Sequence, residues 1–112
     1  MLRRRLLLAA LPLLVAPVAR AQEIAWSAAD AAKFAAIRRG FPEYGTLGDR
    51  EFAQELLQRV RRIWLAPASQ QQEFYRIFVA RLPQYDAYSW HGLHDELIRL
   101  LLTAVAHFSR AP

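Results

Sequence analysis

From Ser27 onward, apolar residues recur at steps of three and four, the spacing that lines one face of an α-helix. The first such segment is expected from Ser27 to about Arg39. Phe34, Ile37 and Phe41 continue one face, Ser27 stands three residues before Asp30 as in a capping box, and Gly40 marks the end. The second runs from about Asp49, a capping residue, to Leu65, with Phe52, Leu56, Val60, Ile63 and Trp64 as its stripe. Gln54, Gln58, Arg61 and Arg62 take its opposite side, and Pro67 forbids continuation. The third is expected over Ser69–Leu82, where Ser69 to Gln72 form a capping-box pattern and Phe74, Ile77, Phe78 and Leu82 form the stripe before Pro83.

The fourth keeps the helical step through Leu93, Leu97, Leu100, Leu101, Ala104, Val105 and Phe108. Ile98 and Leu102 widen its stripe beyond what one packing face requires. No segment alternates like a half-buried strand, and the stretches Phe41–Gly45 and Leu82–Tyr85 read as ordinary turns. No internal repeat is evident. The pattern predicts an all-α fold, a compact bundle of about four helices forming one domain over residues 22–112.

The residues before that domain follow a different logic. Met1 to Arg5 carry three arginines, Leu6 to Val18 are an apolar run interrupted by Pro12 and Pro17, and Ala19-Arg20-Ala21 offers small residues where signal peptidase reads. This is the architecture of a secretory signal peptide over residues 1–21, with cleavage expected after Ala21 and a periplasmic destination. The run is shorter than the roughly 20 residues a membrane-spanning helix needs. Arg3-Arg4-Arg5 followed by leucines fits both an ordinary secretory n-region and the loose core of a twin-arginine signal.

Cleavage changes the charge. Four of the fifteen basic residues leave with the signal, and the eleven that remain face ten acidic ones. A net charge near neutrality lacks the concentrated basic surplus of a nucleic-acid binder. The chain has no cysteine, which excludes disulfides, thiol chemistry and cysteine-ligated zinc.

His91, His94 and Asp95 have the spacing of metal ligands on one helix face, but His107 lies too far along the same helix to join them. They also read as a polar helix start. The carboxylates fall mainly on polar faces or near helix N-termini, and neither a Gly-x-Ser-x-Gly elbow nor a phosphate-binding glycine loop is present. No catalytic, cofactor-binding or metal-binding residue is therefore assigned. The Arg59, Arg61, Arg62 group is either a solvated face or a docking patch for an acidic partner. The loop Tyr85–His91 is the most unusual local composition, and Trp90 and Tyr85 either fold back to close the bundle or present an interface. The partner-binding residues expected are Tyr88, Trp90, Ile98 and Leu102.

Two resemblances bear on function. Phe34-x-x-Ile37-x-x-x-Phe41, a turn, Leu47 and then Leu56-Leu57-Gln58 resemble the opening of the small subunit of membrane-associated FAD-dependent sugar and polyol dehydrogenases. Ile98 to Phe108, with Leu101-Leu102-Thr103-Ala104 inside it, is similar to a later helix of that family. The resemblance implies a non-catalytic helper without a cofactor of its own. Such a subunit assists maturation and export of the flavoprotein that carries the FAD, and reaches the membrane through that partner. Trp64, Ser69, Gln72-Glu73-Phe74, Phe78, Leu82 and Tyr85 resemble the central helices of periplasmic phospholipid-shuttle proteins of the toluene-tolerance type. That likeness implies the alternative, a carrier of a hydrophobic ligand such as phospholipid, which would need an enclosed apolar pocket.

Overall fold

The computed structural model describes residues 26–110, so the expected signal peptide and its cleavage site lie outside the described residues. Each predicted stripe becomes a helix: α1 over Ala28–Gly40, α2 over Asp49–Trp64, α3 over Ala68–Arg81 and α4 over Trp90–Phe108. Single 3-10 turns at Pro42–Tyr44 and Pro83–Tyr85 link α1 to α2 and α3 to α4. No strand occurs among the described residues, and the fold is an all-α bundle.

The capping expectations fare unevenly. Ser27 forms the expected box on α1: its hydroxyl accepts the Asp30 amide at 3.0 Å, and the Asp30 carboxylate accepts the Ser27 amide at 3.4 Å. Asp49 does not cap α2; Gly48 holds the N-cap position, and the Asp49 carboxylate instead takes Arg38 at 2.7 Å. Nor does Ser69 cap α3, which begins behind Pro67. Its neighbour Gln71 turns backward and donates to the carbonyls of Trp64 and Ala66, both at 2.8 Å. A side-chain amide there serves the C-terminal end of α2, whose last carbonyls have no helical partner.

The chain contains an internal repeat that hydrophobic spacing alone does not reveal. Phe41-Pro42-Glu43-Tyr44 and Leu82-Pro83-Gln84-Tyr85 lie 41 residues apart and fold alike. Phe41 has φ −130° and ψ 65°, and Leu82 has φ −125° and ψ 69°. The N-caps that follow, Gly48 and Ser89, have φ −68° and −72° with ψ 171° and 167°. Even the turn hydrogen bonds correspond, with Leu47 N to Tyr44 O and Tyr88 N to Tyr85 O both at 3.0 Å. Proline fixes φ and removes an amide in both turns, which stops the helix and starts the 3-10 turn at the same place. Around these turns the sequences differ enough, Arg59 against Leu100 or Asp30 against Gln71, that only the backbone shows the duplication.

The two halves pack as twins. The second helix of each half, α2 and α4, forms the most extensive contact, and they run antiparallel, since Trp64 at the end of α2 stacks on His94 near the start of α4. The first helix of each half leans on the second helix of the other, α1 on α4 and α3 on α2. Phe52, Leu56 and Val60 meet Leu93, Leu97, Leu100 and Leu101 in a core with zero exposure at all seven. Each such side chain contributes roughly 1.5–3 kcal/mol by leaving water. The halves touch at equivalent positions, Gly40 and Arg81, which places an approximate two-fold axis there. A Cβ on Gly40 would lie 2.6 Å from the Arg81 carbonyl oxygen and 2.8 Å from Leu82 Cδ2. Gly40 is the last residue of α1, as expected, but it does not end the helix through a left-handed conformation. No glycine among the described residues has positive φ, and Gly40 is small because another backbone passes against it.

Candidate partner-binding surface

The structure separates the four residues expected to bind a partner. Trp90 is only 6% exposed. Its indole N–H donates to Gln71 Oε1 at 3.2 Å, and its ring packs among Trp64, Tyr75 and Phe78 at centroid distances of 5.9, 6.0 and 6.4 Å. Trp90 thus closes the bundle between α3 and α4, and its area is already spent on the core. Tyr88 is 39% exposed, with its ring edge-on to Tyr85 at 5.0 Å and its carbonyl accepting the Tyr75 hydroxyl. Leu102 is 44% exposed and Ile98 is half-buried.

Helix geometry explains why these do not form one patch. Tyr88 packs on Tyr85, which lies toward the Glu96 side of α4. Ile98 is two residues beyond Glu96, about 200° around the helix. The α1 helix also lies on the Glu96 side, held by Lys33 to Glu96 at 3.4 Å and by Asp30 to Arg99 at 3.2 Å. Ile98 and Leu102 therefore point away from α1, onto the outer face of the α2–α4 pair. Val105, half-buried, continues the same stripe of α4.

Across the seam, α2 adds Trp64, also half-buried, whose ring stacks on His94 at 3.8 Å and meets His91 edge-on at 5.1 Å. The result is an apolar strip of Trp64, Ile98, Leu102 and Val105 with nothing packed over Leu102 among the described residues. Trp64 was legible as the last member of its stripe, and only the antiparallel pairing places it beside the excess apolar width of α4.

Among the described residues, nine charged groups, Asp30, Lys33, Arg38, Glu43, Asp49, Arg59, Arg81, Glu96 and Arg99, form ion pairs between elements of the bundle. Burial opposes the charge of Asp30, but hydrogen bonds from Arg99 and Ser27 outweigh it and keep the carboxyl below its ordinary range. Glu43 is also partly desolvated, yet its own amide, Arg81 and then Arg59 lower its pKa. Arg38 donates to the Leu47 carbonyl at 2.6 Å and lies over the Phe52 ring at 4.8 Å, so its cation is a structural clamp for the first turn. Burial, and then the neighbouring Glu96 carboxylate, push Tyr85 up to about 12. Its hydroxyl is buried beside the Glu96 carboxylate, close enough to be affected by it but without a well-formed hydrogen bond.

The sequence run Arg59, Arg61, Arg62 divides among different surroundings. Arg59 turns inward over Phe41 and Phe78 at 5.6 and 5.7 Å and approaches Glu43 at 3.5 Å, while Arg61 and Arg62 stay exposed. His94 contacts Asp95 at 3.2 Å besides stacking on Trp64, and no group of three or more potential metal ligands occurs among the described residues. No described helix is long and apolar enough to cross a membrane.

Two shallow grooves open to solvent. One, of about 280 Å³, lies between α2 and α3 and is lined by Arg59, Arg62, Ile63, Ala66, Gln70 and Phe74. The other, of about 250 Å³, lies where Gly40 meets Arg81 and Pro83. No known family model, curated protein or solved structure matches this chain.

Proposed function

We propose that the chain is an exported, non-catalytic helper subunit that binds a larger protein through the outer face of α2 and α4. The observation that supports this reading most is the strip of Trp64, Ile98, Leu102 and Val105, with Leu102 44% exposed in the middle of an otherwise well-packed helix. An apolar stripe on a helix pair gains free energy when another surface covers it. The inter-element ion pairs are compatible with the same reading, since Asp30, Glu43, Asp49 and Glu96 each face an arginine or lysine of the bundle. Both grooves among the described residues are open and small, whereas a carrier that shields the acyl chains of a phospholipid requires an enclosed pocket; a single short stem does not.

The resemblance of Phe34 to Phe41 and of Ile98 to Phe108 to the small subunit of FAD-dependent sugar and polyol dehydrogenases names the partner we propose. That partner is a flavoprotein matured and exported together with this chain, and the helper then begins at Gln22 in the periplasm.

Gentle purification of the exported chain should recover the flavoprotein with it. Leu102→Asp places a carboxylate on the strip and should weaken the association by about 2 kcal/mol or more. An exposed position should change folding stability by no more than about 0.5 kcal/mol. Recovery of the same flavoprotein with Leu102→Asp would remove this face from the interface. A chain that purifies alone with stoichiometric phospholipid in an organic extract would replace the helper reading with the carrier.

A further inference from the structure

Comparing the two halves of the repeat exposes a difference at equivalent helix seams. In the α1–α4 seam, Lys33 reaches Glu96 at 3.4 Å, and Arg99 bridges Asp30 at 3.2 Å and Glu96 at 3.3 Å. The residues at the equivalent places in the α3–α2 seam are Phe74 for Lys33, Glu55 for Glu96, Gln58 for Arg99 and Gln71 for Asp30. Among the described residues, no ion pair joins α3 to α2. Of these four only Phe74 lines a groove of about 280 Å³, which opens one turn further along α2 at Arg59, Arg62, Ile63 and Ala66, whereas the place equivalent to Ala66 in the other seam is His107, covered by Trp26 at 4.9 Å.

The lining of that groove has a definite chemistry. Ile63, buried, and Ala66 form an apolar floor, and the half-buried Phe74 ring forms a wall. Arg59 and Arg62 stand together on α2, three residues apart and so on one side of the helix. Arg59 is held in place over the Phe41 and Phe78 rings, and Glu43 at 3.5 Å shares its charge. The Arg62 guanidinium makes no hydrogen bond or ion pair among the described residues, and Arg62 is exposed. Gln70 adds a neutral donor on the α3 side.

We propose that this groove binds an anionic amphiphile, a carboxylate or phosphate head on a short apolar stem. The head takes the fork of Arg62 with Arg59 behind it, and the stem lies along Ile63, Ala66 and Phe74. A guanidinium offers several donors in one plane and suits either head. A neutral head would gain nothing from the exposed Arg62 guanidinium, and a cationic head would meet two guanidiniums. The groove lies on the α3 side of α2, apart from the Ile98–Leu102 strip, so this site stands or falls independently of the helper reading.

The test is a titration of the signal-cleaved chain, followed by amide resonances, with octanoate, octyl phosphate, octyl glucoside and inorganic phosphate. Octanoate and octyl phosphate should shift Ile63, Ala66 and Phe74 saturably, and the tighter of the two identifies the head. Octyl glucoside should bind about tenfold more weakly, the worth of one charge-assisted hydrogen bond. Inorganic phosphate, which lacks the stem, should bind as weakly as the glucoside or more so. Arg62→Gln should weaken the two anionic amphiphiles by about tenfold. Arg39→Gln, in the other groove, should leave them unchanged. Equal binding of the glucoside, indifference to Arg62→Gln, shifts centred on Ile98 and Leu102, or no saturable shift at all would each overturn the proposal.

Discussion

Gly40→Ala is the sharpest test of the internal two-fold, because helix propensity and packing pull it in opposite directions. Alanine in place of glycine within a helix stabilises by up to about 1 kcal/mol. Gly40 is the last residue of α1 and has no positive φ, so the backbone itself would accept alanine without strain. The added methyl, however, would stand 2.6 Å from the Arg81 carbonyl oxygen and 2.8 Å from Leu82 Cδ2. Comfortable carbon–oxygen contacts begin at about 3.3 Å, so the halves must part by roughly 0.7 Å at their axis. Leu82 Cδ2 can rotate aside, but the Arg81 carbonyl belongs to the backbone.

Overpacking of this kind costs about 1–3 kcal/mol, which leaves a net loss of up to about 2 kcal/mol once the full propensity gain is subtracted. For a domain of this size that lowers Tm by roughly 4–8 °C per kcal/mol. Urea and thermal unfolding followed by circular dichroism would measure it. Gly48→Ala is the internal control, since its new methyl would meet only Glu51 Oε1, the movable end of a side chain, at 2.8 Å. Because glycine is preferred to alanine at an N-cap, that change should cost about 0.5–1 kcal/mol, without any parting of the halves. A Gly40→Ala protein more stable than the parent would refute the close approach of the two halves.

Two further predictions concern buried polar groups. Tyr85→Phe removes a buried hydroxyl that lies beside Glu96 without a well-formed hydrogen bond, so unfolding should show stability unchanged to within about 1 kcal/mol; a larger loss would mean that the hydroxyl bonds the Glu96 carboxylate in solution. Asp30 has a folded pKa below its unfolded value, because the Arg99 and Ser27 bonds outweigh burial. Its stabilisation is therefore complete above the ordinary carboxyl value of about 3.9 and is lost as pH falls through the folded value. Asp30→Asn should flatten the loss of stability below about pH 4, and an unchanged acid limb would show that the ion pair with Arg99 is not retained in solution.

The helices themselves were legible from the chain because their cause is local. An apolar step of three and four residues, with Pro67 and Pro83 as stops, dictates where the backbone can coil. The excess width at Ile98 and Leu102 was legible for the same reason, since it is a property of one helix. Caps were less so. Asp49 and Ser69 are good capping residues, yet Arg38 draws away the first, and α3 starts behind Pro67, one residue before the second.

What only the tertiary structure decided is which surfaces meet. Trp90 and Leu102 look equally available in the sequence, but the crossing of α3 buries the first while α1 lies on the far side of α4 from the second. The internal repeat was hidden because packing requires only apolar character at matched positions, not the same residue, so Phe52 and Leu93 or Ile63 and Ala104 serve equally well. Side-chain spacing is set along one helix, whereas exposure is set by the helices that cross it, and those crossings are known only once the chain has folded.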